Sequence, residues 1–338
     1  MKAVGLYKYL PIDHPESLLD LEIDEPEPAG CDLLVEVKAI SVNPVDTKRR
    51  APKDQVESAP KILGWDAAGV VKAAGPDATL FQPGDAVYYA GSVIRQGANS
   101  EFHLVDERIV GRKPANLSYP EAAALPLTTI TAWEALFERL MISKAGDHAG
   151  RSVLILNGAG GVGSIGIQLA KKLARLKVIA SASRPETVEW VKKMGADATI
   201  DHTQPLGAQL AALGEPEVDY LLCFTNTDPY FPEFPKLVKP QGRICSIVRT
   251  VKPVDLAPLQ DRSQSFSWEG MFTRSTFQTP DMAAQHQLLD EAAGLVEAGL
   301  LLTTINQNLG RISAVSLKRA HFLLEQGHAI GKVVLEGW

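Results

Sequence analysis

Between residues 30 and 111 apolar and polar positions alternate in short bursts. Leu33, Val35 and Val37 interleave with Leu34, Glu36 and Lys38; residues 67–73 are small residues and valine; Pro83-Gly84-Asp85 punctuates the pattern before Ala86-Val87-Tyr88-Tyr89. A period near two, bounded by turn residues, predicts strands, so the first part reads as a β-rich domain. The period lengthens at Tyr119. Ser118 is placed to cap a helix, Glu121 follows three residues later, and an apolar face runs on to Leu136, the pattern of a helix start. A domain boundary is expected there.

Farther along, short apolar strands at 153–157, 178–182, 198–201, 218–224 and 243–248 alternate with helical stretches. Between the first two, Ile165, Leu169, Leu173 and Leu176 recur at helical spacing. Strand, helix, strand, repeated, predicts an α/β domain with a parallel sheet covered on both faces. The remainder reads as an extended piece at 271–277, helices near 281–298 and 314–326, and a last strand at 332–335.

Length and charge narrow the classes. A chain of 338 residues suggests two domains. Lys plus Arg total 34 against 40 for Asp plus Glu, a net charge of −6, the wrong sign for a nucleic-acid binder. Cys31, Cys223 and Cys245 are the only cysteines, too sparse for a disulfide framework, so a reducing cytoplasm is expected. The N-terminal residues lack an apolar signal core, and the uncharged stretch 152–170 is broken by glycines, Asn157 and Ser164. No membrane span is expected.

Strand 153–157 runs directly into Gly158-Ala159-Gly160-Gly161-Val162-Gly163, which opens the helix that follows. A GxGxxG run with a strand before it and a helix after it is the context a dinucleotide pyrophosphate requires. Gly158 serves the tight turn, Gly160 the approach of the phosphates, and Gly163 the close packing of helix on strand. A loop that only packs is the alternative. At the end of the next strand stands Ala182-Ser183-Arg184-Pro185, with no acid before Glu186. NAD binders place Asp or Glu there; Ser183 and Arg184 instead suit a 2′-phosphate, which predicts NADP(H). The alternative is that Arg184 is a surface charge opening the next helix.

Further motifs are Asn43-Pro44-Val45-Asp46, Leu63-Gly64-Trp65-Asp66-Ala67-Ala68-Gly69, Pro83-Gly84-Asp85, residues 122–133, the glycine loop and Gly331-Lys332-Val333-Val334-Leu335. In this order, over nearly the whole chain, the sequence resembles the medium-chain dehydrogenase/reductase superfamily, in its zinc-independent, quinone-oxidoreductase-like branch. Met271-Phe272-Thr273-Arg274-Ser275 with Ala284-Gln285-His286 is similar to a subgroup often labelled zinc-type alcohol dehydrogenase-like. The resemblance implies an α/β protein: a Rossmann doubly wound parallel sheet at 123–299 plus a β-rich GroES-like catalytic domain from 1–122 and 300–338. Zinc-using relatives carry Cys where Asn43 stands, His where Trp65 stands and a third ligand near Leu127 or Thr128. This chain lacks that Cys/His set, and its three cysteines cannot form a four-cysteine structural site, so no zinc is expected. His103, His148, His202, His286 and His321 show no ligand spacing and read mostly as surface or capping residues.

Without a metal, charge developing on a substrate oxygen must be met by hydrogen-bond donors or water. The expected chemistry is hydride transfer from NADPH to a quinone or to the β-carbon of an α,β-unsaturated carbonyl. A zinc-free NADP-dependent carbonyl reductase or alcohol dehydrogenase, and a non-enzymatic NADPH-binding protein of the crystallin or RNA-binding kind, remain as alternatives. The resemblance puts Asn43 and Asp46 beside the nicotinamide and Thr129 in the loop approaching its ring; a turn at Asn43-Pro44 and a helix cap at Thr129 are the structural alternatives. Asn43, Lys48, Tyr89 and Thr129 form the expected catalytic set. Lys48 stands where many relatives have Tyr, or is a solvated charge in Lys48-Arg49-Arg50, and at most one of Tyr88 and Tyr89 faces the site. His202 is expected near the adenosine, Phe224-Thr225-Asn226 and Ile247-Val248 along the nicotinamide half, Phe272-Thr273 over the carboxamide, and Lys332 on the cofactor. The substrate is a small molecule, and a homodimer or dimer-based tetramer is expected, with the 271–277 segment as the pairing edge strand.

Overall fold

The alternation at the start of the β-rich part becomes the strand Asp32–Val42, in which Leu33, Val35 and Val37 are buried and Glu36 and Lys38 half-buried. The computed structural model describes the whole chain, Met1–Trp338. It forms two units: Met1–Leu127 with Phe272–Gly299 and Thr303–Trp338, and Thr128–Met271 with Leu300–Leu302.

In the first unit a seven-stranded sheet runs in the order Ile305–Asn308, Lys332–Glu336, Asp32–Val42, Ala67–Ala74, Ala86–Tyr89, Val110–Arg112, with Phe102–Asp106 also paired to Asp32–Val42. A separate three-stranded sheet holds Leu19–Glu22, Lys2–Tyr9 and Lys53–Ile62. Leu33, Ile40, Trp65, Val71, Tyr89 and Leu335 belong to one core between these elements. The antiparallel register Val333↔Val42 and Val334↔Ser41 brings the end of the chain beside Asn43. That pairing positions the candidate site.

The second unit carries a six-stranded sheet ordered Ala198–Ile200, Lys177–Ser181, Ser152–Leu156, Val218–Cys223, Val238–Ser246, Ser265–Trp268. Every pairing in it is parallel, and the order reverses at Ser152–Leu156, the doubly wound arrangement of dinucleotide-binding sheets. All five residues of that strand are buried, as a strand covered on both faces requires. The helix Gly161–Lys172 follows it, with Ile165 and Leu169 fully buried.

Several expectations are corrected. Residues Thr273–Phe277 form a short helix rather than an extended piece, closed by Thr276 N donating to Phe272 O at 2.8 Å; the edge strand of the parallel sheet is Ser265–Trp268. Residues 272–299, expected with the parallel-sheet domain, lie in the first unit. The helix Ala284–Glu297 packs there because Tyr88 Oη donates to Leu289 O at 2.6 Å and Arg112 N to Asp290 at 2.7 Å. Asn43-Pro44 opens a helix, Pro44–Arg50, where only a turn was considered. His103 and His321 are buried, not surface residues. His321 packs beside Arg50 with neither ring nitrogen hydrogen-bonded, and burial holds its pKa down to about 3.

Candidate functional site

In the second unit the glycine run forms a cradle that excludes side chains. A Cβ on Gly163 would lie 2.3 Å from Asn157 O and 2.6 Å from Gly158 O; one on Gly158 would lie 2.8 Å from the Ala180 methyl. Asn157 takes a left-handed conformation at φ 62°. Its N–H donates to Ser181 Oγ at 2.8 Å and its side-chain amide to Phe224 O at 3.1 Å. The turn is thereby pinned to the two neighbouring strands. Gly160 caps the following helix without a side-chain hydrogen bond, which leaves the first-turn N–H groups for an anion. Ala159 is buried, and Gly161 and Val162 open the helix half-buried. These residues fit a dinucleotide pyrophosphate.

Ser183 is exposed beyond the next strand. Arg184 caps the helix Pro185–Met194: its N–H donates to Thr187 Oγ1 at 3.0 Å, and Thr187 Oγ1 donates back to Arg184 O at 2.7 Å. Its guanidinium Nε lies 3.0 Å from Glu186 Oε1. His202 is exposed just past the strand Ala198–Ile200, Asn226 is exposed, Thr225 and Ile247-Val248 are half-buried, and Phe224 is buried. Thr129 lies inside the helix Pro126–Trp133, 2% exposed, rather than at its cap.

The first unit holds a buried polar cluster. Asp66 accepts from Asn43 Nδ2 at 3.0 Å, from Leu127 N at 3.0 Å and from Lys332 Nζ at 3.1 Å. Lys332 also donates to Val42 O at 3.1 Å and to Asn43 Oδ1. Asn43 N donates to Asp46 Oδ2 at 2.6 Å, while Asp46 Oδ1 is buried without a partner. Asn43, Asp46, Asp66 and Lys332 are each at most 3% exposed. Burial raises the pKa of Asp66, with Lys332 and the two N–H donors opposing. Asp46, with one partner only, is pushed up to about 7 by the same desolvation, against the Asn43 N–H and Lys332 and with the Asp66 charge adding to it.

Asp46 therefore binds its proton more tightly folded than unfolded. Its contribution to stability is complete below the unfolded carboxylate range near pH 4 and is lost as pH rises toward about 7. His103 and His321 have lowered pKa values and impose the opposite slope, so the readout is the difference between wild type and Asp46→Asn. Urea midpoints are expected to show wild type losing stability relative to the variant from pH 5 to pH 7, by up to about 1.4 kcal/mol per pH unit. Parallel profiles for the two proteins would refute it.

Two expected site residues are placed otherwise. Lys332 has all three ammonium donors engaged within its own unit and none left for a cofactor. Tyr89 is fully buried, stacked on His103 with its hydroxyl 3.0 Å from Nδ1, while Nε2 lies 3.0 Å from Gln96 O. A carbonyl only accepts, and burial holds His103 neutral with a pKa of about 4; Nδ1 therefore accepts the only Tyr89 proton. Tyr89 has none to offer a substrate. Lys48 is exposed in the last turn of Pro44–Arg50, and Phe272 meets Trp65 edge-on at 6.4 Å, with Thr273 exposed beside it. Asp66 was missed as a site residue. Its signal was present: one acid in the apolar stretch 62–71 and one base, Lys332, before Val333-Val334-Leu335 are each too costly to bury without the other.

The donor chemistry does not fit a catalytic zinc. The Asn43 amide is spent on Asp66 and Lys332, Leu127 offers only backbone, and the buried Trp65 Nε1 has no partner and is a donor by nature. A separate cavity of about 390 Å³, lined by Ile23, Pro26, Ile62, Phe102 and Leu104 among others, contains none of the expected site residues.

Comparisons with known proteins identify the relatives of the chain. Residues 29–117 match the family described as alcohol dehydrogenase GroES-like domain, and residues 194–335 match zinc-binding dehydrogenase. A zinc-type alcohol dehydrogenase-like protein of Staphylococcus aureus is 46% identical over 336 residues, 99% of each chain. A 2-methylene-furan-3-one reductase of Solanum lycopersicum is 38% identical over 214 residues, 60% of this chain and 53% of that protein. Among solved structures, a Rhizobium etli CFN 42 protein classed with zinc-dependent alcohol dehydrogenases has a TM-score of 0.95 at 53% identity, covering 100% of this chain and 98% of the other. A quinone oxidoreductase of Pseudomonas syringae pv. Tomato DC3000 has a TM-score of 0.83 at 25% identity, covering 99% of both.

Proposed function

Because the chain belongs to the medium-chain dehydrogenase/reductase superfamily and is an oxidoreductase of that type, we propose that it is an NADPH-dependent reductase of quinones and α,β-unsaturated carbonyls that works without zinc. The observation that carries this reading is the donor set of the first unit: where the resemblance places a Cys/His ligand set, the chain has Asn43, whose amide is spent on Asp66 and Lys332, Trp65, whose Nε1 is a donor, and Leu127. Without a Lewis acid, an acceptor that becomes a hydroquinone or an enolate is favoured over a saturated ketone, because its negative charge is delocalised. The names of the tomato reductase and the Pseudomonas quinone oxidoreductase point to the same acceptor classes.

When bound, NADPH supplies the hydride. Gly158, Gly160 and the helix start at Gly161 would hold its pyrophosphate, and Ser183 and Arg184 would meet its 2′-phosphate. Asp46, whose carboxyl pKa burial raises to about 7, is protonated below that pH, with Oδ1 as its partner-free oxygen. A homodimer pairing through the exposed edge strand Ser265–Trp268, where Trp268 is 43% exposed, belongs to the same reading. So does a cytoplasmic setting, which suits three unpaired cysteines.

The test follows NADPH consumption by absorbance with a quinone, an enone and a saturated ketone, repeated with NADH and with a strong chelator. Turnover of quinone or enone with NADPH, indifferent to chelator, is expected. Chelator-sensitive ketone reduction would overturn the zinc-free reading, turnover of the saturated ketone alone would favour a carbonyl reductase, and no turnover at all would favour a binding protein. Sedimentation of the same sample as a monomer would remove the dimer.

A further inference from the structure

The strand Lys177–Ser181 and the helix Pro185–Met194 are joined by a turn fixed from both sides. Ala182 N donates to Ile200 O at 2.9 Å, and Arg184 is locked in main chain by Thr187 at 3.0 and 2.7 Å. The Arg184 side chain thus leaves from a rigid base, one third exposed, and its Nε meets Glu186 Oε1 at 3.0 Å; Glu186 is 57% exposed. Glu186 is the second residue of the helix, so the helix dipole steadies its negative charge at that place. The guanidinium offered to a 2′-phosphate already carries a carboxylate.

We propose that Glu186 is a specificity-determining residue that restrains NADP(H) selectivity by competing with the 2′-phosphate for Arg184. The inference rests on the NADP(H) reading above and deepens it. A 2′-phosphate near neutral pH brings between one and two negative charges and three acceptor oxygens. Arg184 can take it side-on through Nε and Nη only if Glu186 yields Nε, or end-on through its two Nη groups while Glu186 keeps Nε. Whichever happens, two anions face each other across one cation. NADH, which has a hydroxyl in place of that phosphate, meets no such repulsion, so Glu186 narrows the gap between the two cofactors. The effect belongs to cofactor binding and leaves the hydride step untouched.

Fluorescence titration of NADPH and NADH separates the outcomes, using wild type, Glu186→Gln, Arg184→Ala and the double variant at low and high ionic strength. Glu186→Gln is expected to tighten NADPH by about three- to tenfold and leave NADH within about twofold, the range of a partly exposed charge interaction. The gain should vanish in the Arg184→Ala background and shrink at high salt. If Arg184→Ala weakens NADPH while Glu186→Gln changes nothing, the role of Glu186 is refuted and the NADP(H) reading stands. If Arg184→Ala leaves NADPH unaffected, both fall. Weakened NADH binding in Glu186→Gln would make Glu186 a ribose acceptor and overturn the inference.

Discussion

Gly163→Ala is expected to lose NADPH binding by more than about a hundredfold while the first unit keeps its fold. The added methyl would sit 2.3 Å from Asn157 O, 2.6 Å from Gly158 O and 2.7 Å from Gly158 Cα. All three are backbone atoms of the cradle itself, so no side chain can swing aside. Relief requires the helix Gly161–Lys172 to move off the strand Ser152–Leu156, which opens the turn and turns the first N–H groups of that helix away from the pyrophosphate. Gly294→Ala is the control. Nothing lies within 4 Å of its Cβ position inside the helix Ala284–Glu297, so the variant should gain about 0.5–1 kcal/mol from helix propensity and bind NADPH normally. NADPH titration with circular dichroism on both variants decides the matter; unaltered binding by a folded Gly163→Ala protein would refute the assigned cradle.

Lys332→Met is expected to cost about 3–5 kcal/mol, the usual penalty for stripping one partner from a buried ion pair. Asp66 is fully buried and accepts three donors; removal of the ammonium leaves its carboxylate with Asn43 Nδ2 and Leu127 N alone. Asp66→Asn should be costly for the converse reason, since Lys332 would then face only Val42 O and Asn43 Oδ1 as acceptors besides a neutral amide. Combined with Lys332→Met, Asp66→Asn should restore a large part of the loss, because no uncompensated charge then remains. Urea unfolding of the four proteins measures the coupling, and simple addition of the two single losses would disprove it. The same proteins report on the cofactor. NADPH affinity should survive in Lys332→Met, whose ammonium is consumed inside the first unit; its loss in a folded variant would return Lys332 to the cofactor.

The parallel-sheet unit was largely legible because its signals are local. Strand 153–157, the glycines at 158, 160, 161 and 163, and the helix marked by Ile165 and Leu169 are contiguous, so one short stretch carries the turn, the cradle and the helix start. The missing acid before Glu186 is equally local. The edge strand was misplaced: Ser265–Trp268 has only four residues, while Met271–Phe277 contains enough β-branched and aromatic character to read as extended. Short helices of this kind are closed by a few backbone bonds and by packing, which no periodicity in five residues can reveal.

Alternation, glycine spacing and turn chemistry by themselves determined a β-rich part followed by a strand–helix part with a dinucleotide loop, since each depends on neighbours within a few residues. Tertiary structure alone decided which polar groups are spent. The 332/43 contact spans 289 positions and the 66/43 contact 23, the first set by the register of Lys332–Glu336 against Asp32–Val42 and the second by that of Asp32–Val42 against Ala67–Ala74. The same holds for Tyr89, whose proton is committed by a histidine 14 residues away. A side chain's chemistry follows from its donors and acceptors once burial forces each to find a partner, and burial is a property of the packed chain that no local pattern records.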